Sequence, residues 1–309
     1  MDENVTRRIG QNCEYEIYKN NKLGYGSYST VYLGRYVGNI LNINRDDGLI
    51  AIKEINIFDM KSETKILIDS EIIIMKWLIT HTHNNIIKCY DVFEMENKVY
   101  IIMEYCDNND LSTLIHASMN ESQIKQYFKQ LVDAIKFLNN HNIIHRDIKP
   151  KNILLSGSTI KLCDFGFANK KEKIEKTPIC GSPLYMAPEI MLKKIYTEAV
   201  DVWALGLILF EMIFGFHPFN KCKDMRELKE TILISIKLPI KKDISSDCFD
   251  LLLMMLEIDP VKRIAINEII KSPWLTIVSS TRGINPELEN KNAKYLDDKI
   301  DNLIFDMDD

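Results

Sequence analysis

The pattern of apolar and polar positions changes about a third of the way along this chain. In residues 15–102, apolar side chains occur in short runs rich in β-branched and aromatic residues, for example at 29–33, 49–52 and 99–103. Such runs predict strands. One segment of helical character, residues 65–79, interrupts them. Residues 39–48 are rich in Asn, Asp and Gly, which is typical of a loop.

From residue 111 onward the apolar spacing becomes helical. Apolar residues recur at steps of three and four between Ile124 and Leu138, which predicts one buried face of a long helix. A further apolar run, residues 199–216, approaches the length of a membrane span. Asp201 and Glu211 interrupt it, so we predict a buried helix and no membrane span. The expected order is a mostly β segment (about 15–105), a linker near 107–109, and a mostly α segment (about 106–275).

The core-like patterning stops after Trp274. This leaves a short N-terminal extension (1–14), a main domain (15–275) and an acidic C-terminal tail (276–309). Residues 284–309 contain eight acidic residues against three lysines, so this stretch carries as much net charge as the whole chain, which is −5. The tail also has apolar residues at helical spacing: Leu296, Ile300, Leu303 and Met307. An amphipathic helix on the large lobe, a segment that binds a regulatory partner, and disorder all remain open for it.

Composition narrows the class of protein. The 309 residues are 46% hydrophobic and 27% charged, as in a soluble globular protein with a substantial core. The net charge of −5 gives no electrostatic reason to expect nucleic acid as a partner. Seven scattered cysteines without a C-x-x-C pair, and a polar start (MDENVTRRIG), indicate a reduced intracellular, cytoplasmic setting.

The most informative chemistry lies at residues 145–152 and 164–166, which read H-R-D-I-K-P-K-N and D-F-G. They bring two carboxylates, a lysine and an amide close together in the chain. Such a set suits holding Mg²⁺ and a nucleotide phosphate beside a hydroxyl group. In this order, the two segments resemble the catalytic and metal-binding loops of eukaryotic protein kinases.

That resemblance implies a role for each residue. Asp147 would be the catalytic base and Lys149 would neutralise the γ-phosphate. Asn152 and Asp164 would bind Mg²⁺, for which Mn²⁺ could substitute. Because phosphoryl transfer depends mainly on positioning and charge neutralisation, this set needs no covalent intermediate.

Two upstream segments resemble the nucleotide-binding part of the same family. Residues 23–31 resemble the glycine-rich loop, with Ser29 in place of its third glycine. The resemblance assigns the phosphate cover to Leu23, Gly24, Tyr25, Gly26, Ser27, Tyr28, Ser29, Thr30 and Val31. The I-A-I-K strand at 50–53 supplies Lys53 for the α- and β-phosphates, and Glu71 falls where the family's helix carboxylate would pair with it.

Residues 99–106 resemble the strand that leads into the hinge between lobes. Met103 would then be the gatekeeper, and the backbones of Glu104 and Cys106 would bond the adenine edge. The adenine sandwich maps onto Leu23, Val31, Ala51 and Leu154. Each of these could equally be a plain core residue.

The acceptor side of the resemblance is of the serine/threonine type. Lys149 follows the catalytic aspartate by two residues, and residues 181–189 read G-S-P-L-Y-M-A-P-E. Ser182 would then bond near Asp147 and Lys149, Glu189 would pair with Arg263, and Asp201 would hold the catalytic loop. In motif detail the chain is most similar to the autophagy-initiating ULK kinases, although Asn108-Asn109 departs from their usual Gly-Gly.

We therefore expect an α+β, two-lobed protein kinase fold. The small N-lobe would be mostly antiparallel β with one main helix, and the larger C-lobe would be mostly α-helical. The expected function is ATP-dependent phosphorylation of Ser/Thr hydroxyls in protein substrates, used in signalling. A phosphate on Thr177, paired with Arg146, would regulate it. A pseudokinase-like scaffold and an enzyme acting on small molecules are the alternatives.

Overall fold

A computed structural model describes residues 6–276 apart from positions 13, 27, 39–46, 108, 173–180, 194, 235, 237 and 240–242. The described residues form two compact units. The first, here called the sheet unit, contains those up to Asp110 together with those between Asn152 and Pro178. The second, the helical unit, contains those from Leu111 to Lys151 and from Ile179 onward. The predicted α+β class is confirmed.

The sheet unit is built on a six-stranded antiparallel sheet with the strand order β1-β2-β3-β4-β6-β5. Its strands are β1 (Thr6–Ile9), β2 (Tyr15–Tyr25), β3 (Ser29–Tyr36), β4 (Leu49–Asn56), β5 (Cys89–Met95) and β6 (Lys98–Glu104). A two-stranded sheet of β8 (Ile153–Ser156) and β9 (Thr159–Leu162) belongs to the same unit, as does the short β10 (Asn169–Lys170). The strands predicted at 29–33, 49–52 and 99–103 are thus confirmed.

One face of the large sheet carries a hydrophobic core of its own. Tyr32, Ile52 and Ile102 lie opposite one another on adjacent strands, and all three are buried. They pack with residues of the first two strands, including Ile9 and Tyr15. Because side chains alternate along a strand, the residues between them point to the other face, which carries the candidate nucleotide residues.

The first strand comes from the predicted N-terminal extension. Arg7 in β1 pairs with Glu96 in the turn after β5, and the Tyr15 hydroxyl donates to Asp91 Oδ2 in β5 at 2.9 Å. Since β1 and β5 are the two edges of the sheet, these contacts require the sheet to curl until its edges meet. β1 therefore closes the apolar core on that face.

Helix α1 (Ser62–Leu78) lies between β4 and β5 in the chain and packs against β5. Its buried positions include Ile68, Glu71, Ile74, Met75 and Leu78, which recur at helical spacing. Glu71 is thus a carboxylate on the buried face of the helix. The segment predicted at 65–79 is confirmed, with the helix beginning three residues earlier.

The helical unit contains the short strand β7 (Ile143–Ile144) and eight helices among its described residues. The helices are α2 (Leu111–His116), α3 (Glu121–Asn140), α4 (Pro188–Met191), α5 (Ala199–Phe214), α6 (Met225–Ile232), α7 (Ser246–Met255), α8 (Ile266–Ile269) and α9 (Pro273–Thr276). Helix α3 begins at a capping box, in which the Asn120 side chain accepts from the Gln123 N–H.

Helix α5 forms the centre of this unit. It is buried along almost its whole length, packs against α3 and α7, and ends at Gly215, whose φ of 79° suits glycine. The predicted buried helix is confirmed. Within the part of the chain that the structure describes, every helix is too short or too polar to cross a bilayer.

Candidate active site

The sheet unit brings three predicted residues together. Lys53 Nζ in β4 donates to Glu71 Oε1 in α1 at 2.5 Å and to Asp164 Oδ1, just after β9, at 2.9 Å. Burial opposes the charge of Lys53, but the carboxylates of Glu71 and Asp164 outweigh it and raise the pKa of Lys53 above its ordinary value. Burial raises the pKa of Glu71, and the Lys53 ammonium acts in the opposite direction.

Asp164 differs from its two partners in being open to solvent. Its side chain is 44% exposed, and its backbone adopts the left-handed conformation at φ 61°. A residue other than glycine is strained there, and such strain often occurs where a side chain must be aimed. Asn152 lies nearby, because its carbonyl accepts from the N–H of Cys163 at 2.9 Å. The two predicted metal ligands therefore belong to adjoining segments of one unit.

Gly166 leaves room for this arrangement. A Cβ at that position would lie 3.3 Å from Asp164 Oδ1, 3.5 Å from Glu71 Oε2 and 3.8 Å from Lys53 Nζ. A Cβ there would be crowded against Asp164 Oδ1 and would make ordinary contact with the other two groups. Glycine at position 166 therefore leaves the Asp164 carboxylate uncrowded.

Most of the predicted adenine residues share one face of the large sheet. Val31 is paired with Lys53, and Ala51 with Met103, and these positions alternate with the buried apolar face described above. Glu104 ends β6, where its carboxylate accepts from the Lys88 N–H at 2.6 Å, and Cys106 follows two residues later. Leu154 forms an isolated bridge with Asp110. Leu23 is the residue at a register shift between Lys22 and Gly24, and it is 45% exposed.

The turn that joins β2 and β3 contains the predicted phosphate cover. The Gly26 N–H donates to the Ser29 carbonyl at 2.8 Å, and a Cβ on Gly26 would lie 2.8 Å from Ser29 Oγ. Ser29 itself is part of β3 and does not have a positive φ, so serine can replace the family's third glycine without strain. Tyr25 and Tyr28 are largely exposed. Gly24 in β2 and Thr30 in β3 are each paired with a residue of the other strand. Ser27 lies outside the described residues.

The helical unit holds the predicted acceptor residues in a second cluster. The buried Asp147 accepts from the Ser182 N–H through Oδ1 at 2.8 Å and from Lys149 Nζ through Oδ2 at 2.7 Å. Lys149 Nζ also donates to Ser182 Oγ at 2.8 Å. The predicted contacts of Ser182 are thus present. This ring of hydrogen bonds gives the Asp147 carboxylate one orientation.

Asp201 of α5 holds the loop that bears Asp147. Its two carboxylate oxygens accept from the backbone N–H groups of His145 at 2.8 Å and Arg146 at 2.9 Å. Burial raises the pKa of Asp201, although these two donors and the His145 and Arg146 charges act in the opposite direction. Arg146 has a φ of 67°, and the carbonyl of Arg146 lies only 2.7 Å from where a Cβ on Gly181 would be. The loop and the segment after it are therefore fitted closely.

The predicted Glu189–Arg263 pair is present and almost fully buried. Arg263 donates through its two terminal nitrogens to the two carboxylate oxygens, at 2.8 and 3.0 Å. It also donates to the carbonyls of Glu257, Ile258 and Ala199. One guanidinium thus ties together the start of α4, the start of α5 and the chain after α7.

The predicted regulatory pair is only half visible. Arg146 is buried and donates to the Tyr196 hydroxyl at 2.8 Å. Thr177 lies outside the described residues, as do positions 1–5 and 13 of the predicted extension and residues 277–309 of the tail. The phosphate on Thr177 and the three states considered for the tail remain predictions.

Sequence reasoning missed one contact that adjoins the acceptor cluster. The Tyr185 hydroxyl donates to Glu211 Oε1 in α5 at 2.6 Å. Glu211 entered the sequence argument only because it interrupts an apolar run. A carboxylate in the middle of a buried helix was the available signal, since such groups require a partner.

This chain is similar in sequence to known proteins. The family model described as the protein kinase domain matches residues 17–275. The chain is 36% identical over 266 residues to the serine/threonine-protein kinase ATG1b of Arabidopsis thaliana, covering 82% of this chain and 36% of that protein. It is 37% identical to the mouse serine/threonine-protein kinase ULK3 over 265 residues, covering 83% and 54%. For human ULK1 the identity is 32% over 300 residues, covering 91% and 27%.

These relatives are longer proteins. The chain spans between about a quarter and about half of the length of the three relatives named. The similarity to ULK-type kinases that the motifs indicated is confirmed for the matched region.

Proposed function

This chain belongs to the protein kinase family, and from that premise we propose that it transfers the γ-phosphoryl group of Mg-ATP to serine or threonine hydroxyls of protein substrates. The observation that carries the proposal is the pair of preorganised clusters. Lys53, Glu71 and Asp164 are joined in the sheet unit, and Asp147, Lys149 and Ser182 in the helical unit. The serine/threonine kinases it resembles support the same activity.

The sheet unit would handle the nucleotide. Lys53, held by Glu71, presents an ammonium to the phosphates, and the pairing fixes both its position and its charge. The face that carries Val31, Ala51 and Met103 offers an apolar surface for a purine ring. The backbone of Glu104 and Cys106 offers the polar groups for its edge. The glycines of the turn that joins β2 and β3 have no side chains, so they would let the phosphates approach its backbone closely.

The donor set fits a magnesium ion. Asp164 offers an exposed carboxylate and Asn152 an amide oxygen, which are hard oxygen ligands of the kind that Mg²⁺ binds. The described residues contain no group of three or more His, Cys, Asp or Glu that could hold a metal. Mg²⁺ keeps water and takes substrate phosphates as ligands, so it needs few protein donors. When bound, the ion would neutralise charge that develops on the phosphate oxygens. Mn²⁺ would fit the same donors.

The helical unit would handle the acceptor. Asp147, oriented by Ser182 and Lys149, accepts or orients the proton of the substrate hydroxyl. Lys149 Nζ bridges Asp147 and Ser182, so it would keep the base aligned while its charge neutralises the transferred phosphate. These residues act by position and charge, which is what phosphoryl transfer requires of a protein.

Two features of setting and regulation extend the proposal. The five cysteines among the described residues form no disulfide bond, which supports a reducing intracellular environment. We also propose that a phosphate on Thr177 raises activity by pairing with Arg146, which would exchange its bond to Tyr196 for a stronger one to the phosphate. If Thr177→Ala remains as active as wild type after incubation with ATP, this regulation is refuted. The acidic tail remains a proposed regulatory segment.

A labelled phosphotransfer assay tests the function. Wild type and Asp164→Asn are incubated with labelled ATP, Mg²⁺ and a library of Ser- and Thr-containing peptides. Asp247→Asn, on the exposed first turn of α7, is the matched control with the same chemical change. We expect transfer by wild type and by the control, and loss of transfer in Asp164→Asn. Equal transfer by all three, or by none, would refute the assignment, and the second outcome would favour a pseudokinase-like scaffold.

A further inference from the structure

One charged side chain of the catalytic loop, residues 145–152, has no role in the chemistry proposed above. It belongs to Lys151, which lies two residues after Lys149. Lys149 Nζ donates to Asp147 and to Ser182, so its charge is already engaged. Lys151 is exposed, and among the residues that the structure describes its side chain has no hydrogen-bond or ion-pair partner. The loop therefore offers a second ammonium group that the described part of the chain does not use.

The backbone places this ammonium group close to the catalytic base. Pro150, Lys151 and Asn152 form a 3₁₀ turn, in which the proline ring fixes one φ angle. Pro150 and Asn152 are buried, so the turn is anchored on both sides of the exposed Lys151. Lys151 and Asp147 belong to the same unit, and four steps along the chain separate their Cα atoms by at most about 15 Å. A substrate whose hydroxyl group reaches Asp147 therefore comes close to Lys151.

The charges around the base favour an anionic partner for Lys151. The catalytic loop has three cations, Arg146, Lys149 and Lys151, against the single acid Asp147. Residues 181–187, which contact Asp147 through a backbone N–H, contain no acidic residue. These two segments thus provide no carboxylate besides the base itself, and a substrate can supply one. Such complementarity of charge selects partners more than it strengthens binding.

We propose that Lys151 is a specificity-determining residue that binds a carboxylate of the protein substrate. Serines and threonines with an Asp or Glu within three positions are then phosphorylated in preference to others. The inference rests on the proposed kinase function and adds a substrate class to it. An extended peptide advances about 3.3 Å per residue, so a residue two or three positions from the acceptor lies about 7–10 Å from it. The long, flexible stem of a lysine can reach a carboxylate at that distance from the base.

The expected effect is that of an exposed ion pair. Both partners remain partly hydrated, so the pair is weak and is screened by salt. A peptide with Glu at the preferred position should exceed the matched Gln peptide about threefold in kcat/KM at low salt, and less than about 1.5-fold in 0.5 M salt. Because the pair is the same before and during transfer, the preference should appear in KM for the peptide and not in kcat.

The test uses peptides of one sequence with a single Ser acceptor. Glu, Gln or Lys is placed in turn at each of the three positions on either side of it. The full chain is assayed as wild type, Lys151→Gln and Lys151→Glu, and kcat/KM for the Glu peptide is divided by that for the Gln peptide within each protein. A general loss of activity or of folded protein cancels in this ratio. Lys262→Glu, at an exposed lysine elsewhere in the same unit, is the matched control for net charge.

We expect the ratio to be about three in wild type and in Lys262→Glu, and about one in Lys151→Gln. In Lys151→Glu the preference should reverse, so that the Lys peptide exceeds the Gln peptide about threefold. Lys151→Gln decides the outcome if Lys151→Glu does not fold.

Three results would overturn the specificity role alone. They are a wild-type ratio near one at all six positions, a preference for Glu that persists in Lys151→Gln, and an equal change of the ratio in Lys262→Glu. Absence of transfer by wild type to every peptide would instead refute the proposed function, and the specificity role with it.

Discussion

Replacing Glu189 by Gln should destabilise the helical unit by about 3–5 kcal/mol, the usual cost of breaking a buried ion pair from one side. Arg263 has an exposed side-chain fraction of 0% and Glu189 of 2%, so water cannot take the place of the lost partner. An arginine keeps its charge in proteins, so Arg263 cannot become neutral by losing a proton. Glutamine would retain one acceptor oxygen and turn an NH₂ group toward the guanidinium. The three backbone carbonyls that accept from Arg263 would then be its main compensation.

Urea unfolding followed by tryptophan fluorescence measures this effect. The Arg263 guanidinium carbon lies 5.2 Å from the centre of the Trp203 ring, so Trp203 reports on the affected region. Glu268→Gln is the matched control in the same unit, because its pair with Lys271 is 57% and 67% exposed. That control should change stability by no more than about 0.5 kcal/mol, and high salt should reduce its effect further.

Two results would refute the reasoning about the buried pair. One is a loss for Glu189→Gln as small as that of the control. The other is a loss that disappears in 1 M salt, since screening acts on exposed charges (Debye length about 3 Å at 1 M) and not on a pair closed off from solvent.

Three further outcomes are expected. Gly181→Ala should cost about 1–3 kcal/mol of stability and most of the activity, because φ is 115° and a Cβ would lie 2.7 Å from the Arg146 carbonyl. The control Gly157→Ala, at φ 59° with no atom within 4 Å of its Cβ, should cost less stability and leave activity intact. Folding raises the pKa of Glu211 from 4.5 to about 7, so protonation of Glu211 stabilises the folded state. This stabilisation is complete below pH 4.5 and is lost as the pH rises to 7. In thermal unfolding, wild type should lose about 3 kcal/mol of stability relative to Glu211→Gln across that pH range and no more above it. Ser29→Gly should leave KM for ATP within about twofold and lower stability by about 0.5–1 kcal/mol, since Ser29 already has strand geometry; a large gain in ATP affinity would contradict this.

Local periodicity was sufficient to predict the long elements. The apolar spacing from Ile124 to Leu138 corresponds to α3, and the run that begins at residue 199 corresponds to α5. The pairing of β1 with β2 was not predictable from local sequence. Arg7 and Ile9 gain their contacts only when the sheet curls, and the partner of Arg7, Glu96, lies 89 residues later in the chain. No spacing rule operates over such a distance.

The candidate site divides in the same way. Lys53, Glu71, Asp147 and Asp164 could be named from short motifs, because each motif keeps its residues at a fixed spacing. Tyr185 and Glu211 are 26 residues apart, and only the packing of a turn on α5 joins them. The positive φ angle of Arg146 was equally hidden, since arginine is not one of the residue types enriched in that conformation, whereas Asp164 belongs to a type that is.

The variant Asp147→Asn tests most directly whether one cluster binds the nucleotide and the other acts on the acceptor hydroxyl. Asp147 contacts Ser182 and Lys149 but belongs to the helical unit, whereas the predicted nucleotide residues belong to the sheet unit. We predict that calorimetry with Mg-ATP gives a Kd within about threefold of wild type, while kcat falls by about 100-fold or more, because the base is lost. A variant that binds Mg-ATP normally and keeps kcat within about tenfold of wild type would contradict Asp147 as the catalytic base.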